Sequence, residues 1–449
     1  MKVKYIYKCL MISFAALLLG SCSSPEVDAK FDQNATERLS GRQKELNDVL
    51  LSSADGWKAV YYTDSTQLGG WTHLFKFLPA GKVEMASDFN SDTGVYTSQY
   101  DIQVGSTVSL VFTTENRIHL LSNAADYPTA GLLAKGYLGD FQFYYYGQKN
   151  GDIIFRTNRN GHFLRFVKAT PKDWEDLPKN TPIIKNITGD MTSPLFRLLE
   201  INDGSTTKSY DFDYNTNARF GTGYSLDPST PNESYDLAFS FNPTGAFTKI
   251  PLTVKDQKLS DFVYESATNT FVATGKDGVK ATIKYTNAPP IITDDYTNFV
   301  NGKPQMVVGY IAANLYNAPT TSDYFRFLIN KVNATLPANQ SIARIQVYFN
   351  SAFGDYIEYR FNGGRPSVYH NFTTSPNNTT KILVLTHDSW DNGTAIIPAP
   401  AFLKDIDEQF FTTAGLYVKK ENFKISFTNT IYTLTSASSS FRMTTYQLN

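Results

Sequence analysis

Cysteine is nearly missing from this sequence: 449 residues contain two, Cys9 and Cys22. Both lie at the extreme N-terminus, so disulfides, zinc–thiolate centres and cysteine nucleophiles are excluded from the rest of the chain. Histidine is scarce too, with His73, His119, His162, His370 and His387 the full set. None makes a His-x-x-x-His pair, and the helical zinc signature is absent. No excess of one charge exists, because 41 Lys and Arg face 42 Asp and Glu. Without a basic run beyond the first residues there is no footprint for nucleic acid. The chain also lacks a Gly-x-Ser-x-Gly elbow and a phosphate-cradling glycine loop, which argues against serine hydrolysis and nucleotide chemistry.

What the chain has instead is aromatic residues, 28 Tyr and 32 Phe beside 4 Trp. With abundant Thr and Val they favour strands. Runs such as Leu74 to Phe77, Val108 to Phe112, Phe141 to Tyr146, Ile153 to Phe155 and Phe163 to Val167 are short and separated by Gly, Asn and Pro turns. That spacing predicts mainly β structure, antiparallel sheets arranged as sandwich or lipocalin-like barrel modules, and not βαβ units. One N-terminal helix is expected near Asn34 to Ser52, where apolar residues recur at three-to-four spacing and Asn34 or Thr36 can cap. Tyr324 to Leu328 reads as a strand, Pro171 to Pro182 as a linker, and Ala401 to Phe411 as a short helix.

The first residues carry an address. Lys2, Lys4 and Lys8 precede an apolar run from Cys9 to Leu19 that is short for a membrane span. Leu19-Gly20-Ser21-Cys22 then matches the bacterial lipoprotein box, which implies cleavage before Cys22 and lipidation of that residue. Ser23 to Lys30 is polar and proline-broken, as a tether is. The expected organisation is a signal peptide over 1–21, a lipid-anchored tether over 22–33, the helix with a first β-module over 34–175, a second β-module over 176–288 and a C-terminal β-module over 289–449.

Two motifs recur in order. Phe-x-Phe-x-Pro-x-Gly occurs at Phe75 to Gly81 and at Phe239 to Gly245, and a Thr-x-x-x-Gly turn occurs at Thr157 to Gly161 and at Thr274 to Gly278. Two related modules or coincident hairpin chemistry would each produce this.

Taken together, the lipoprotein box, the tether, the helix with Glu37-Arg38-Leu39, Gly56-Trp57-Lys58-Ala59-Val60-Tyr61-Tyr62 and the Phe-x-Phe-x-Pro-x-Gly hairpin resemble a Bacteroidota surface lipoprotein family filed as "domain of unknown function 4302". Gly139 to Phe143 and Gly415 to Lys419 add to the likeness. The resemblance implies a lipid-anchored protein of the outer membrane, facing the cell surface, beside SusC/SusD-type uptake proteins. It supplies no catalytic residues.

Candidate sites remain few. Asp88, Asn90 and Asp92 place oxygens at alternate positions, as calcium loops do, although the glycine comes one place late and Gln99 holds the twelfth position; calcium is the only cofactor suggested. Trp71, beside Gly69-Gly70, and Trp390, between Asp388 and Asp391, sit in turn-like contexts where an indole could serve as a platform for a sugar ring. Acids such as Glu233, Asp236, Asp355 and Glu358 cannot be placed across a cleft from sequence. The role that the resemblance implies is non-catalytic capture of a glycan or peptide in nutrient uptake. A surface hydrolase and a structural partner of an outer-membrane complex are the alternatives. Exposed aromatics in a shallow groove would mark the first, converging acids or a histidine-centred group the second, and a broad apolar patch the third.

Overall fold

The computed structural model describes residues 34–448; Cys22 and the tether lie outside them. The chain forms three closed eight-stranded barrels in succession. The first contains β1 (Trp57–Tyr62), β2 (Gly70–Leu78), β3 (Lys82–Ser87), β4 (Tyr96–Val104), β5 (Val108–Phe112), β6 (Gln142–Lys149), β7 (Asp152–Thr157) and β8 (Phe163–Lys168). The second contains β9 (Phe196–Asp203), β10 (Thr207–Asn215), β11 (Phe220–Ser225), β12 (Ser234–Asn242), β13 (Gly245–Val254), β14 (Gln257–Glu265), β15 (Thr270–Thr274) and β16 (Val279–Thr286). The third contains β17 (Met306–Ile311), β18 (Ile342–Ser351), β19 (Gly354–Phe361), β20 (Val368–Asn377), β21 (Ile382–Asp391), β22 (Leu416–Lys420), β23 (Ile431–Ser436) and β24 (Arg442–Leu448).

Within each barrel every strand pairs antiparallel with its neighbours in sequence, and the first strand closes on the last. Trp57 pairs with Lys168, Ile283 with Leu199, and Gly309 with Tyr446. Closure removes the free sheet edges that an open array of this size would expose.

Alternation decides which face is inside. In β10, Tyr210, Phe212 and Tyr214 are buried, while Asp213 and Asn215 are exposed and Asp211 is half-buried. Apolar interiors and polar outer faces are the pattern of barrels facing water, the reverse of the apolar outer band of a membrane barrel. Among the described residues no helix is long and apolar enough to cross a membrane. Side chains fill the interiors: in the first barrel Phe75 stacks on Phe166 and Phe112 with centroids 4.7 and 5.4 Å apart.

Each barrel also receives a helix in its core. The helix α1 (Ala35–Leu51) starts from a capping box, the Asn34 side chain accepting from the Glu37 amide at 2.8 Å and the Glu37 carboxylate accepting from the Asn34 amide at 3.1 Å. Its Leu46, Val49 and Leu50 join the first core. Two further helices, α2 (Pro171–Asp176) and α3 (Asn180–Thr188), occupy the stretch expected as a linker. Ile183 and Ile187 of α3 join the second core. A fourth, α4 (Asp323–Thr335), replaces the strand expected at Tyr324 to Leu328, and buries Phe325, Leu328, Ile329 and Val332 in the third. The short helix expected near Ala401 is a 3-10 turn at Ala401–Leu403 running into one helical turn at Lys404–Asp407.

The recurring motifs divide. The Thr-x-x-x-Gly turn joins the seventh strand to the eighth in both the first and the second barrel, the position that related modules require. The Phe-x-Phe-x-Pro-x-Gly hairpin joins the second and third strands of one barrel but the fourth and fifth of the other, so that echo reflects shared hairpin chemistry.

Candidate functional site

The two tryptophans singled out in the sequence are in strands, not turns. Trp71 on β2 is 1% exposed and packs edge-on against Tyr137 at 5.2 Å. Trp390 on β21 is 5% exposed, with its indole stacked on His370 at 4.3 Å and on Tyr359 at 5.9 Å. Neither ring presents a free face to solvent.

The calcium candidates are pulled apart by their partners. β3 ends at Ser87, and Asp88 turns inward, fully buried. Its carboxylate accepts from the Thr72 amide at 2.9 Å, from Asn180 Nδ2 at 2.9 Å and from Arg219 at 3.0 Å. Asn90 and Asp92 stay exposed, and Asp92 pairs with Arg117, whose hydrogen bond holds the carboxyl down to about 2. With Asp88 committed to an arginine, the three oxygens do not form one ligand set.

The feature that does present chemistry to solvent is a groove of about 600 Å³ on the third barrel. The β18–β19 turn and the adjoining ends of β20 and β21 form it. Phe353, at the tip of that turn, is 89% exposed. Tyr356 and Tyr369 stand behind it with ring centroids 5.9 Å apart, and Tyr348 stacks on Tyr356 at 4.4 Å. The register explains the row, since Tyr348 pairs across with Tyr356, and Tyr356 with Asn371, all on one face.

Polar groups line the same groove, and two of its three acids are held in place by hydrogen bonds. Asp355 accepts from the Asn350 amide and from the Thr374 hydroxyl, both at 2.7 Å. Asp391 accepts from Asn371 Nδ2 and from the Gly393 amide, again at 2.7 Å. Asp388 is exposed and accepts only from Ser389, at 3.3 Å. Such bonds leave lone pairs on each carboxylate for a ligand. Burial, followed by the neighbouring Tyr348 and Glu358, pushes the Tyr356 phenol up to about 12; at neutral pH it keeps its proton and can donate. Among the described residues no Lys or Arg lines the groove.

Behind the sheet lies a polar cluster built from residues that look isolated in sequence. Asp407 accepts from the Tyr359 hydroxyl at 2.7 Å and lies 2.9 Å from His370 Nδ1. His370 Nε2 lies 2.7 Å from His387 Nδ1. Since a carboxylate only accepts, His370 carries a proton on Nδ1 and donates it to Asp407. Burial and Asp407 keep the Tyr359 phenol well above its usual range. Among the described residues no hydroxyl or second acid is hydrogen-bonded to His387. His119 and His162 are each tied to backbone carbonyls, at 3.1 and 3.0 Å.

Sequence reasoning missed the groove because Phe353 stands in an Asn-Ser-Ala-Phe-Gly-Asp turn without a motif, and Tyr356 and Tyr369 look like any strand tyrosines. The one signal was proximity: Asp388 and Asp391 flank Trp390.

No curated protein matches the chain. Among solved structures, a DNA polymerase sliding clamp from Bacillus subtilis aligns over 91% of this chain and 97% of that one at 10% identity, with a TM-score of 0.16; a likeness that weak carries no argument. A family model described as "Domain of unknown function (DUF4302)" matches residues 27–266. It spans the first barrel and the second as far as β14, leaving the groove-bearing third barrel beyond it. Because the match covers more than half of the sequence, the chain belongs to the DUF4302 family.

Proposed function

We propose that this protein is a lipid-anchored lipoprotein of the outer membrane, facing the cell surface, that captures a glycan without turning it over. The observation that carries the reading is the groove, where three aromatic rings meet three aspartates, two of them anchored, with no cation among the described lining residues. Sugar rings offer apolar C–H faces that stack on aromatic rings and hydroxyls that donate to carboxylates. An acid-lined groove also favours neutral sugars over uronic acids, because like charges repel. Family membership and water-facing barrels support an accessory role, and a place beside SusC/SusD-type uptake proteins is part of the proposal.

The test is a binding screen of the full chain against neutral and acidic oligosaccharides, with hydrolysis followed in parallel. Saturable binding of a neutral glycan is expected. Phe353→Ala should weaken it about tenfold, the equivalent of about 1.4 kcal/mol of lost stacking. Turnover of the glycan, or full affinity in the Phe353→Ala variant, would remove the capture reading. The anchor has its own check: Cys22→Ala should shift the protein from the membrane to the soluble fraction.

A further inference from the structure

The seam between the first and second barrels holds a second pocket, open to solvent and of about 400 Å³, remote from the groove and within the DUF4302 match. Asn180, the first residue of α3, lines it and is 3% exposed. Its amide orientation is fixed, because Nδ2 faces two pure acceptors, Asp88 Oδ2 at 2.9 Å and the Phe241 carbonyl at 3.1 Å. The side-chain oxygen is thereby turned away from them, and it has no hydrogen-bond partner. A buried acceptor left unpaired costs about 1–3 kcal/mol unless a donor reaches it.

Two opposite charges, both exposed to solvent, line the same pocket. Lys249 on β13 reaches across the seam to lie 5.4 Å from the centre of the Tyr62 ring on β1, and it forms no ion pair among the described residues. Asp261 on the adjacent β14 likewise has neither an ion pair nor a hydrogen bond there. The other charges of the seam are already matched, Lys58 with Asp173 at 2.7 Å, and Asp176 with Lys172 at 2.8 Å and Lys179 at 2.6 Å. Val60, Leu177 and Phe247 add apolar wall.

We propose that this seam binds a short zwitterionic peptide. The ligand carboxylate pairs with Lys249, its ammonium with Asp261, and a peptide N–H donates to Asn180 Oδ1, while its side chains pack on Val60, Leu177 and Phe247. A neutral sugar would leave both charges unanswered. This site is independent of the groove on the third barrel, and either can fail without the other.

The experiment is calorimetric titration of the full chain with alanyl-leucine and with the same dipeptide acetylated at its N-terminus and amidated at its C-terminus. Lys249→Gln, Asp261→Asn and the groove variant Phe353→Ala are titrated alongside, each with its thermal unfolding recorded to show an intact fold. Saturable binding of the free dipeptide, at least tenfold weaker in Lys249→Gln and in Asp261→Asn, unchanged in Phe353→Ala and lost on capping, is expected. Absence of saturable binding, equal binding of the capped form, or undiminished affinity in both charge variants overturns the proposal.

Discussion

His73 lies wholly inside the first barrel, its ring stacked 6.0 Å from Phe75 and its Nδ1 3.2 Å from the Trp71 carbonyl, to which it donates, while Nε2 has no partner. Burial pushes this imidazole down from 6.5 to about 4. Between those values the unfolded chain binds a proton that the folded chain refuses, so stability is complete above about pH 6.5 and falls as pH drops towards 4. At pH 4.5 the loss from this group should be about 2–3 kcal/mol. Urea midpoints at pH 7 and 4.5 test it: His73→Phe, which keeps the stack and removes the titration, should flatten the slope, and an unchanged slope would contradict the assignment. Asp88 teaches the complementary lesson. The alternation of Asp88, Asn90 and Asp92 places three oxygens on one side only while the chain stays extended, and β3 ends one residue earlier, at Ser87. The sequence shows the oxygens but not the arginine, 131 residues away, that claims the first of them.

At the scale of elements, local chemistry was readable where it was complete. Helix α1 announces itself through Asn34 and Glu37. The helices at 171–188 carry comparable signals that proline obscured. Pro171 stands at the first helical position, where its missing N–H costs nothing, and Thr170 with Asp173 forms a capping box. Helix α4 was legible too, since Phe325, Leu328, Ile329 and Val332 follow the helical period behind the cap of Ser322, which accepts from the Phe325 amide at 3.2 Å. The alternating aromatics of Tyr324 to Leu328 mimic a strand over five residues, and only the longer window separates the two periods. Antiparallel strands and their turns were readable almost throughout, because each pairs with its neighbour. Barrel modules were among the expected arrangements, but the choice between sandwich and closed barrel was not readable, as closure depends on contacts between residues about 100 positions apart, such as Trp57 with Lys168.

At the scale of the molecule, the first two barrels are joined through a buried ion pair. Arg219, 3% exposed, bonds to Asp88 and to the Gly70 carbonyl at 3.0 Å and lies between the rings of Trp71 and Phe241, at 5.5 and 5.4 Å. Arg219→Ala leaves a carboxylate buried without its cation and should cost about 3–5 kcal/mol. Chemical denaturation should show that loss, and limited proteolysis should cut the α2–α3 connection sooner than in the parent. Wild-type stability in the variant would mean the pair is not what holds the barrels together. No sequence pattern links residues so far apart, so this junction and both candidate sites became visible only in three dimensions.

Each barrel is completed by one uninterrupted stretch of chain, with no strand borrowed from another. A chain emerging from its N-terminus can therefore finish one barrel before the next arrives, and unpaired strand edges exist only in the segment then emerging. The same arrangement lets the third barrel, groove included, be exchanged for another without breaking a single strand pairing in the first two.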